Sequence, residues 1–360
     1  MPELVRNKQL DGLRGYASVA VVIFHCVLDR DRTFEHRIVR PAFDEIHGIY
    51  NLVSKLVFIV LNGEAAVVLF FVLSGAVLFD SLRSRDGFSL SSATGFVMRR
   101  FFRLYPAFAV ALVCAFAASI AVGGDVLEPL PIWENFALID FSVLGTSWTL
   151  QIEFLAIPFL LAAYWAYRRW GAAGIVLVYF CFFGVLSISA LHDHLILFAR
   201  FLPCFVWGML IPTDLGRKIL TRCPGRLASV SAVAMLSVRS VLGLHWWSAM
   251  AEEFFAAILI GTIYYRRSER MAVWLEAPLA QYFGRVSYSL YLFHVVFLTL
   301  ADRWTRDWPI VGAHPLEMGL LLSIPVLACS LLVAHVSERV LERPSISLGH
   351  RFSGKRAVFA

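Results

Sequence analysis

Charge is scarce in this chain. Asp, Glu, Lys and Arg make up 16% of its 360 residues, against roughly 25% in an ordinary soluble domain. Hydrophobic residues account for 59%, and the mean hydropathy is +0.71. A water-soluble fold this apolar would run out of polar groups to cover its surface. A bilayer removes that requirement, because the solvent is then itself apolar. Cysteine is also sparse. Cys26, Cys114, Cys181, Cys204, Cys223 and Cys329 form no CxxC pair, and most lie within apolar stretches. That pattern argues against a disulfide framework or a zinc site, and it predicts small buried hydrophobes; no metal is expected. No internal repeat stands out, and no stretch of useful size reads as a soluble domain. A cleaved leader is not expected either. Asp11 and Arg14 interrupt the would-be basic start, and the apolar run ends at Val27-Leu28-Asp29 without a small-x-small site.

What the chain has in abundance is long apolar runs. A membrane span needs about 20 of them in sequence. Candidates fall at roughly 12–29, 52–80, 97–122, 146–166, 172–191, 197–213, 225–243, 247–265, 284–301 and 317–338. The expected fold is therefore all-α, a polytopic helical membrane bundle of about ten transmembrane helices. The seventh run, rich in Ser and Ala, has the least distinct ends. Pro203 and Pro325 are positions where the sixth and tenth helices would kink. With ten spans, most of the 32 Lys and Arg fall on the side that holds both termini. The positive-inside rule then predicts cytoplasmic termini. The net charge of +6 has the same source, and no basic run with interleaved aromatics points to nucleic acid. Residues 123–145, with Pro129, Pro131 and Trp133 and no Lys or Arg, read as a re-entrant or interfacial segment on the outer side.

Few ionisable residues lie within the spans. Each costs about 2.5–3.5 kcal/mol at a span centre on insertion scales, so each is a functional candidate by default. Arg14 and His25 sit three helical turns apart on nearly one face of the first span, about 16 Å along its axis. Alone, Arg14 reads equally as a snorkelling anchor, and His25 as an interhelical hydrogen bonder. Arg100 and Arg103 open the third span at i,i+3 spacing, a fork suited to phosphates or simply a positive-inside cluster. Glu153, in Trp148-Thr149-Leu150-Gln151-Ile152-Glu153, is expected at the depth of His25 and in need of a partner. Ser287, Tyr291 and His294 form a polar stripe on the ninth span, which interhelical hydrogen bonding alone would explain. Glu342-Arg343-Pro344 reads as the cytoplasmic cap of the last span.

Read in order, these pieces resemble the acyltransferase-3 family of integral membrane O-acyltransferases. Leu10-Asp11-Gly12-Leu13-Arg14-Gly15 followed by His25 is similar to the family's Arg-x10-His. Phe70-Phe71-Val72-Leu73-Ser74-Gly75 resembles its second-helix signature, and Arg100-x-x-Arg103 its Arg-x-x-Arg. Trp148-Thr149-Leu150 with Glu153 resembles its Trp-Ser-Leu-x-x-Glu, with Thr for Ser. Ser287 to His294 and Glu342-Arg343-Pro344 resemble its last two motifs.

The resemblance implies a transmembrane domain over 1–345, followed by a short cytoplasmic tail at 346–360. It also implies an enzyme of a bacterial inner membrane. The expected reaction moves an acyl group, most often acetyl, from acyl-coenzyme A (acetyl-CoA) to a hydroxyl of a surface or exported polysaccharide, or of its lipid-linked precursor. On that reading Arg14, Arg100 and Arg103 bind the donor, and His25 and Glu153 are catalytic. Trp148, Thr149 and Tyr291 meet the acceptor, while lipids and polysaccharide-assembly proteins are the surrounding partners. Some family members carry a further periplasmic domain. None follows the last span here, so transfer is expected within the membrane domain or with a separate partner. His25 would deprotonate the acceptor or carry the acyl group itself, with Glu153 orienting the imidazole or holding the acceptor. Three alternatives stay open: a succinyl or other acyl donor, a transporter or flippase using the same residues as a proton relay, and an inactive export scaffold. Mass spectrometry of surface polysaccharide with and without the protein is expected to differ by an acyl group, whose mass identifies it.

Overall fold

A computed structural model describes residues 7–31, 33–84, 89–123, 129–188 and 192–352. Among them the chain is helical, with no strand. The helices in order are α1 (Lys8–Leu28), α2 (Ile49–Val60), α3 (Gly63–Arg83), α4 (Leu90–Ala121), α5 (Pro129–Phe136), α6 (Trp148–Trp170), α7 (Ala172–Ile188) and α8 (His192–Leu210). There follow α9 (Asp214–Leu220), α10 (Arg226–Leu242), α11 (Trp246–Tyr264), α12 (Glu269–Leu275), α13 (Pro278–Thr305), α14 (Pro309–Ala313), α15 (Pro315–Ser337) and α16 (Arg343–Phe352).

All ten apolar runs fall largely on helix. Among the described residues, six stretches are long and apolar enough to cross a membrane: Lys8–Leu28, Ile49–Arg83, Leu90–Ala121, Gly145–Trp170, Pro278–Thr305 and Pro315–Phe352. Leu195–Leu210 and Asp214–Leu220 make a seventh if read as one span bent by 77°. The remaining runs are helical but shorter or more polar. The sharp bend lies at residues 211–213, while α8 stays helical through Pro203. Helix also continues through Pro325.

The chain divides into two compact units. The first comprises Met1–Phe24, Arg32–Ser84 and Pro158–Arg285. Within it, α3 and α8 approach closely because neither carries a side chain at the crossing. A Cβ on Gly208 would lie 2.1 Å from the carbonyl oxygen of Val72, and one on Gly75 would lie 2.6 Å from that of Phe205. Small residues at such crossings let helix backbones meet without any hydrophobic drive from lipid. Phe71 fills the space beside the crossing, its ring centroid 5.2 Å from that of Phe201 and 5.4 Å from that of Phe205.

Several polar groups in this unit are paired within it. Asn62 caps α3, its side-chain oxygen accepting from the Ala65 N–H. Its amide also donates to the Leu236 carbonyl on α10. Lys55 is fully buried. Its Nζ donates to the carbonyls of Ile38, Val39 and Pro41 at 2.9, 2.9 and 2.7 Å. Arg239 lies 2.5 Å from Glu64 and 3.5 Å from Glu252.

The second unit comprises His25–Asp31, Arg85–Ile157 and Val286–Ala360. Its core brings Leu104, Phe108 and Leu112 of α4 together with Leu150 of α6 and Leu292 and Phe293 of α13. Tyr288 donates to the Leu104 carbonyl at 2.6 Å. Among its described residues the 123–145 stretch holds the short helix α5, which Asn135 closes with bonds to Asp140, Ser142 and the Val143 N–H. The Ser142 hydroxyl above all holds the Asp140 carboxyl below its usual range. Asp125 and Glu128 lie outside the described residues.

One expectation about the end of the chain changes. Glu342 is buried and accepts from the Ser289 hydroxyl, so it is no exposed cap. The helix does not stop there but passes through a π-helical turn, Glu338–Glu342, into α16. Residues 346–352 are helical, and 353–360 lie outside the described residues.

The glycine crossing makes a stability prediction. Gly208→Ala, which forces a methyl against the Val72 backbone, is expected to destabilise by about 1–3 kcal/mol, as overpacking does. Gly184→Ala on α7 meets nothing within 4 Å and is expected to be neutral. Unfolding midpoints in detergent compare the two.

Candidate active site

His25 lies in the last turn of α1, and Tyr291 and His294 lie on α13. All three belong to the second unit. Spacing of three residues puts Tyr291 and His294 on one face of their helix. Nδ1 of His25 lies 3.1 Å from Nε2 of His294. The two rings are 16° from parallel, with centroids 5.2 Å apart. On its far side, Nδ1 of His294 lies 2.8 Å from the carbonyl oxygen of Tyr291. His294 is fully buried, whereas His25 is half-buried. Of the two histidines, His25 is the one with exposed surface.

A second set of hydroxyls adjoins this pair. The 3₁₀ turn Gly145–Ser147 leads into α6, setting Thr149 one turn above Thr146. The hydroxyls of Thr149 and Tyr291 lie 3.2 Å apart. Both reach the Thr146 carbonyl, at 3.0 Å from Thr149 and 3.3 Å from Tyr291. The Thr that stands in the Trp-Thr-Leu motif thus uses its hydroxyl to hold the phenol beside His294, whose ring centroid is 5.9 Å from that of Tyr291. Trp148 is half-buried at the same helix start.

Arg100 and Glu153 form an ion pair across α4 and α6. Both side chains are largely withdrawn, Arg100 at 6% exposure and Glu153 at 14%. This differs from the sequence expectation of an Arg100–Arg103 fork with Glu153 orienting His25. The ring nitrogen that faces His25 Nδ1 belongs to His294. The i,i+3 arginines divide: Arg100 turns into the unit toward Glu153, and Arg103 is exposed. A helix face about 100° wide can straddle the boundary between the inside and the outside of a bundle. Arg14, in the first unit, is half-buried on α1. Among the described residues no group of three or more His, Cys, Asp and Glu is clustered closely enough to hold a metal.

Sequence reasoning placed His294 on a polar stripe but gave it no role. The usable signal was there: a lone histidine three residues after a tyrosine, in the middle of an apolar run. Nothing in one sequence says which helix that stripe faces.

A family profile described as an acyltransferase domain matches residues 7–335. Among curated proteins, Acyltransferase MdmB of Streptomyces mycarofaciens is 26% identical over 388 aligned positions, which cover 96% of this chain and 93% of the relative. No solved structure matches.

Removing one member of a buried ion pair strands the other, at a cost of about 3–5 kcal/mol. Arg100→Ala and Glu153→Ala are each expected to lose stability on that order. The double variant is expected to lose less than the sum, because it strands no charge. Unfolding titrations of the four proteins in detergent measure the coupling.

Proposed function

The chain belongs to the acyltransferase-3 family, and on that premise we propose that it moves an acyl group, acetyl first among candidates, from cytoplasmic acyl-coenzyme A to a hydroxyl of a polysaccharide or its lipid-linked precursor. It is an integral membrane acyltransferase of the class that transfers groups other than aminoacyl groups. The observation that carries the finer reading is the half-buried imidazole of His25, backed by a buried second imidazole. Forming an ester from a hydroxyl requires a group that takes the hydroxyl proton as the new bond forms. A neutral imidazole does this near neutral pH.

The donor's phosphates call for a guanidinium that they can reach. Exposed Arg103 meets that need, and half-buried Arg14 is a second candidate. Arg100 is committed to Glu153, so its part in donor binding is to brace the helix mouth from which Arg103 projects. Glu153 then acts through Arg100. Tyr291 lies beside His294 and meets Thr149, and these two, with Trp148 at the same helix start, are assigned to the acceptor. Lipids surround the enzyme, polysaccharide-assembly proteins are its expected neighbours, and its home is the cytoplasmic membrane of a bacterium.

Nanodisc-reconstituted protein tests this. With acetyl-CoA and an acceptor polysaccharide, release of free thiol is expected to require the acceptor. Donors carrying succinyl and longer acyl groups identify the acyl preference. His25→Ala is expected to lower turnover by about 100-fold or more, the usual range for removing a general base. Near-normal turnover in that variant would remove the chemistry from His25. Arg103→Ala is expected to raise the donor KM about tenfold, equivalent to about 1.4 kcal/mol. That effect is expected to shrink as salt is added.

A further inference from the structure

We propose that the first unit carries a carbohydrate subsite, a recess in which Arg239 and Glu252 bind a hydroxyl of the acceptor glycan that does not itself react. This inference rests on the proposed function, which supplies a polyhydroxylated acceptor.

The recess is open on one side and encloses about 350 Å³ together with its mouth, toward the lower end of the range of small-ligand pockets. Phe24 of α1, Phe58 of α2, Glu64 of α3, Arg239 and Ser240 of α10 and Glu252 of α11 line it. All belong to the first unit. Its polar side is incompletely paired. One nitrogen of Arg239, Nη1, serves two carboxylates, Glu64 at 2.5 Å and Glu252 at 3.5 Å. Two buried atoms meet no hydrogen-bond partner among the described residues, Nε of Arg239 and Oε1 of Glu252. Glu252 is 1% exposed and Arg239 8%. A charged group withdrawn this far and short of a partner keeps its desolvation penalty.

The two atoms select the ligand. The Nε–H can only donate, and a carboxylate oxygen can only accept. A cation would satisfy Oε1 but be repelled by the guanidinium, and an anion would satisfy Nε but be repelled by two carboxylates. A hydroxyl donates one hydrogen bond and accepts two, so it meets both atoms without adding a charge. The rest of the recess suits carbon. The Phe24 and Phe58 rings meet edge to face with centroids 5.5 Å apart. Gly63 lets the Phe24 ring lie against the start of α3, where a Cβ would stand 2.6 Å from it. A sugar offers both surfaces, hydroxyls at its edge and C–H groups on its ring face. Water could take the hydroxyl's place but has no use for the rings. On the topology expected from the loop charges, the turn between α10 and α11 lies on the outer side. An exported glycan is met there, while coenzyme A is cytoplasmic.

The test uses full-length protein in nanodiscs and polysaccharide from the cell that makes it, de-esterified in mild base and trimmed to oligosaccharides. Glu252→Gln keeps the shape of the side chain and removes its charge, with Glu64 left to pair Arg239. Leu244→Trp, at an exposed position of the lining, sets an indole at the mouth and leaves the ionic cluster intact. Calorimetric titration of the wild type without donor is expected to show oligosaccharide binding. Each variant is expected to weaken that binding about tenfold, the scale of a hydrogen bond to a charged group. In turnover the acceptor KM is expected to rise about tenfold, with kcat and the donor KM within about twofold. That split marks lost binding of the acceptor, whereas general damage to the fold would lower kcat too.

Unchanged oligosaccharide affinity in a folded Leu244→Trp would overturn the proposal and leave the recess to water. So would a wild type that binds no oligosaccharide. If Glu252→Gln fails to fold, Leu244→Trp still decides. Acceptor-dependent thiol release with an acceptor KM unmoved in both variants would sink this inference and leave the proposed function standing. Oligosaccharide binding that both variants weaken, without any acceptor-dependent thiol release, would sink the function and keep the recess as a carbohydrate site.

Discussion

Every polar group withdrawn from water into this chain needs a partner. In an apolar surround an unpaired donor or acceptor costs several kcal/mol. Backbone groups meet the constraint by forming helix, which is why the described residues contain helices and no strands. Side chains meet it by pairing across helices. The pairs are specific in direction: His25 with His294, Arg100 with Glu153, Arg239 with Glu64 and Glu252. Apolar packing tolerates a helix rotated by some tens of degrees, but a hydrogen bond does not. Within each unit these few pairs therefore fix how the helices face one another.

The same constraint explains what could be read from sequence. Apolar run length reports on helix existence, and all ten runs fall largely on helix. Run length says little about interruption. The break between α2 and α3 depends on Asn62 capping the second helix. The 77° turn after Leu210 depends on residues 211–213 rather than on Pro203, the more conspicuous breaker. Motif order identified the family because it needs no geometry. Pairing does need geometry, and there the reading of single residues fell short. Glu153 and His25 share an expected depth, yet depth leaves the azimuth open, and Arg100 is the partner that Glu153 meets. His294 was visible as part of a stripe, but its meaning lies on another helix. Glu342 looked like a terminal cap because its neighbours are Arg343 and Pro344. Its buried bond to Ser289 is set by the π-helical turn, which leaves no mark in composition.

The two arginines at the mouth of α4 illustrate how one motif can hold two roles. Arg-x-x-Arg reads as a single cationic fork. Folded, it is one buried cation already neutralised by Glu153 and one exposed cation. A guanidinium that has to attract a polyanion gains from staying exposed, and one that has to hold two helices gains from being buried. The spacing that puts both on one face also sets them at its two edges.

Lys55 carries a different kind of consequence. Its ammonium spends all three protons on the carbonyls of Ile38, Val39 and Pro41, and so keeps no lone pair to offer. Thioesters acylate free amines without assistance. A protein that handles activated acyl groups is safer with few amines and with those few occupied. Lysine supplies only four of the 32 basic residues, at positions 8, 55, 218 and 355, and arginine the remainder. Clamping Lys55 leaves that one of the four amines bound to three carbonyls and out of reach of an electrophile.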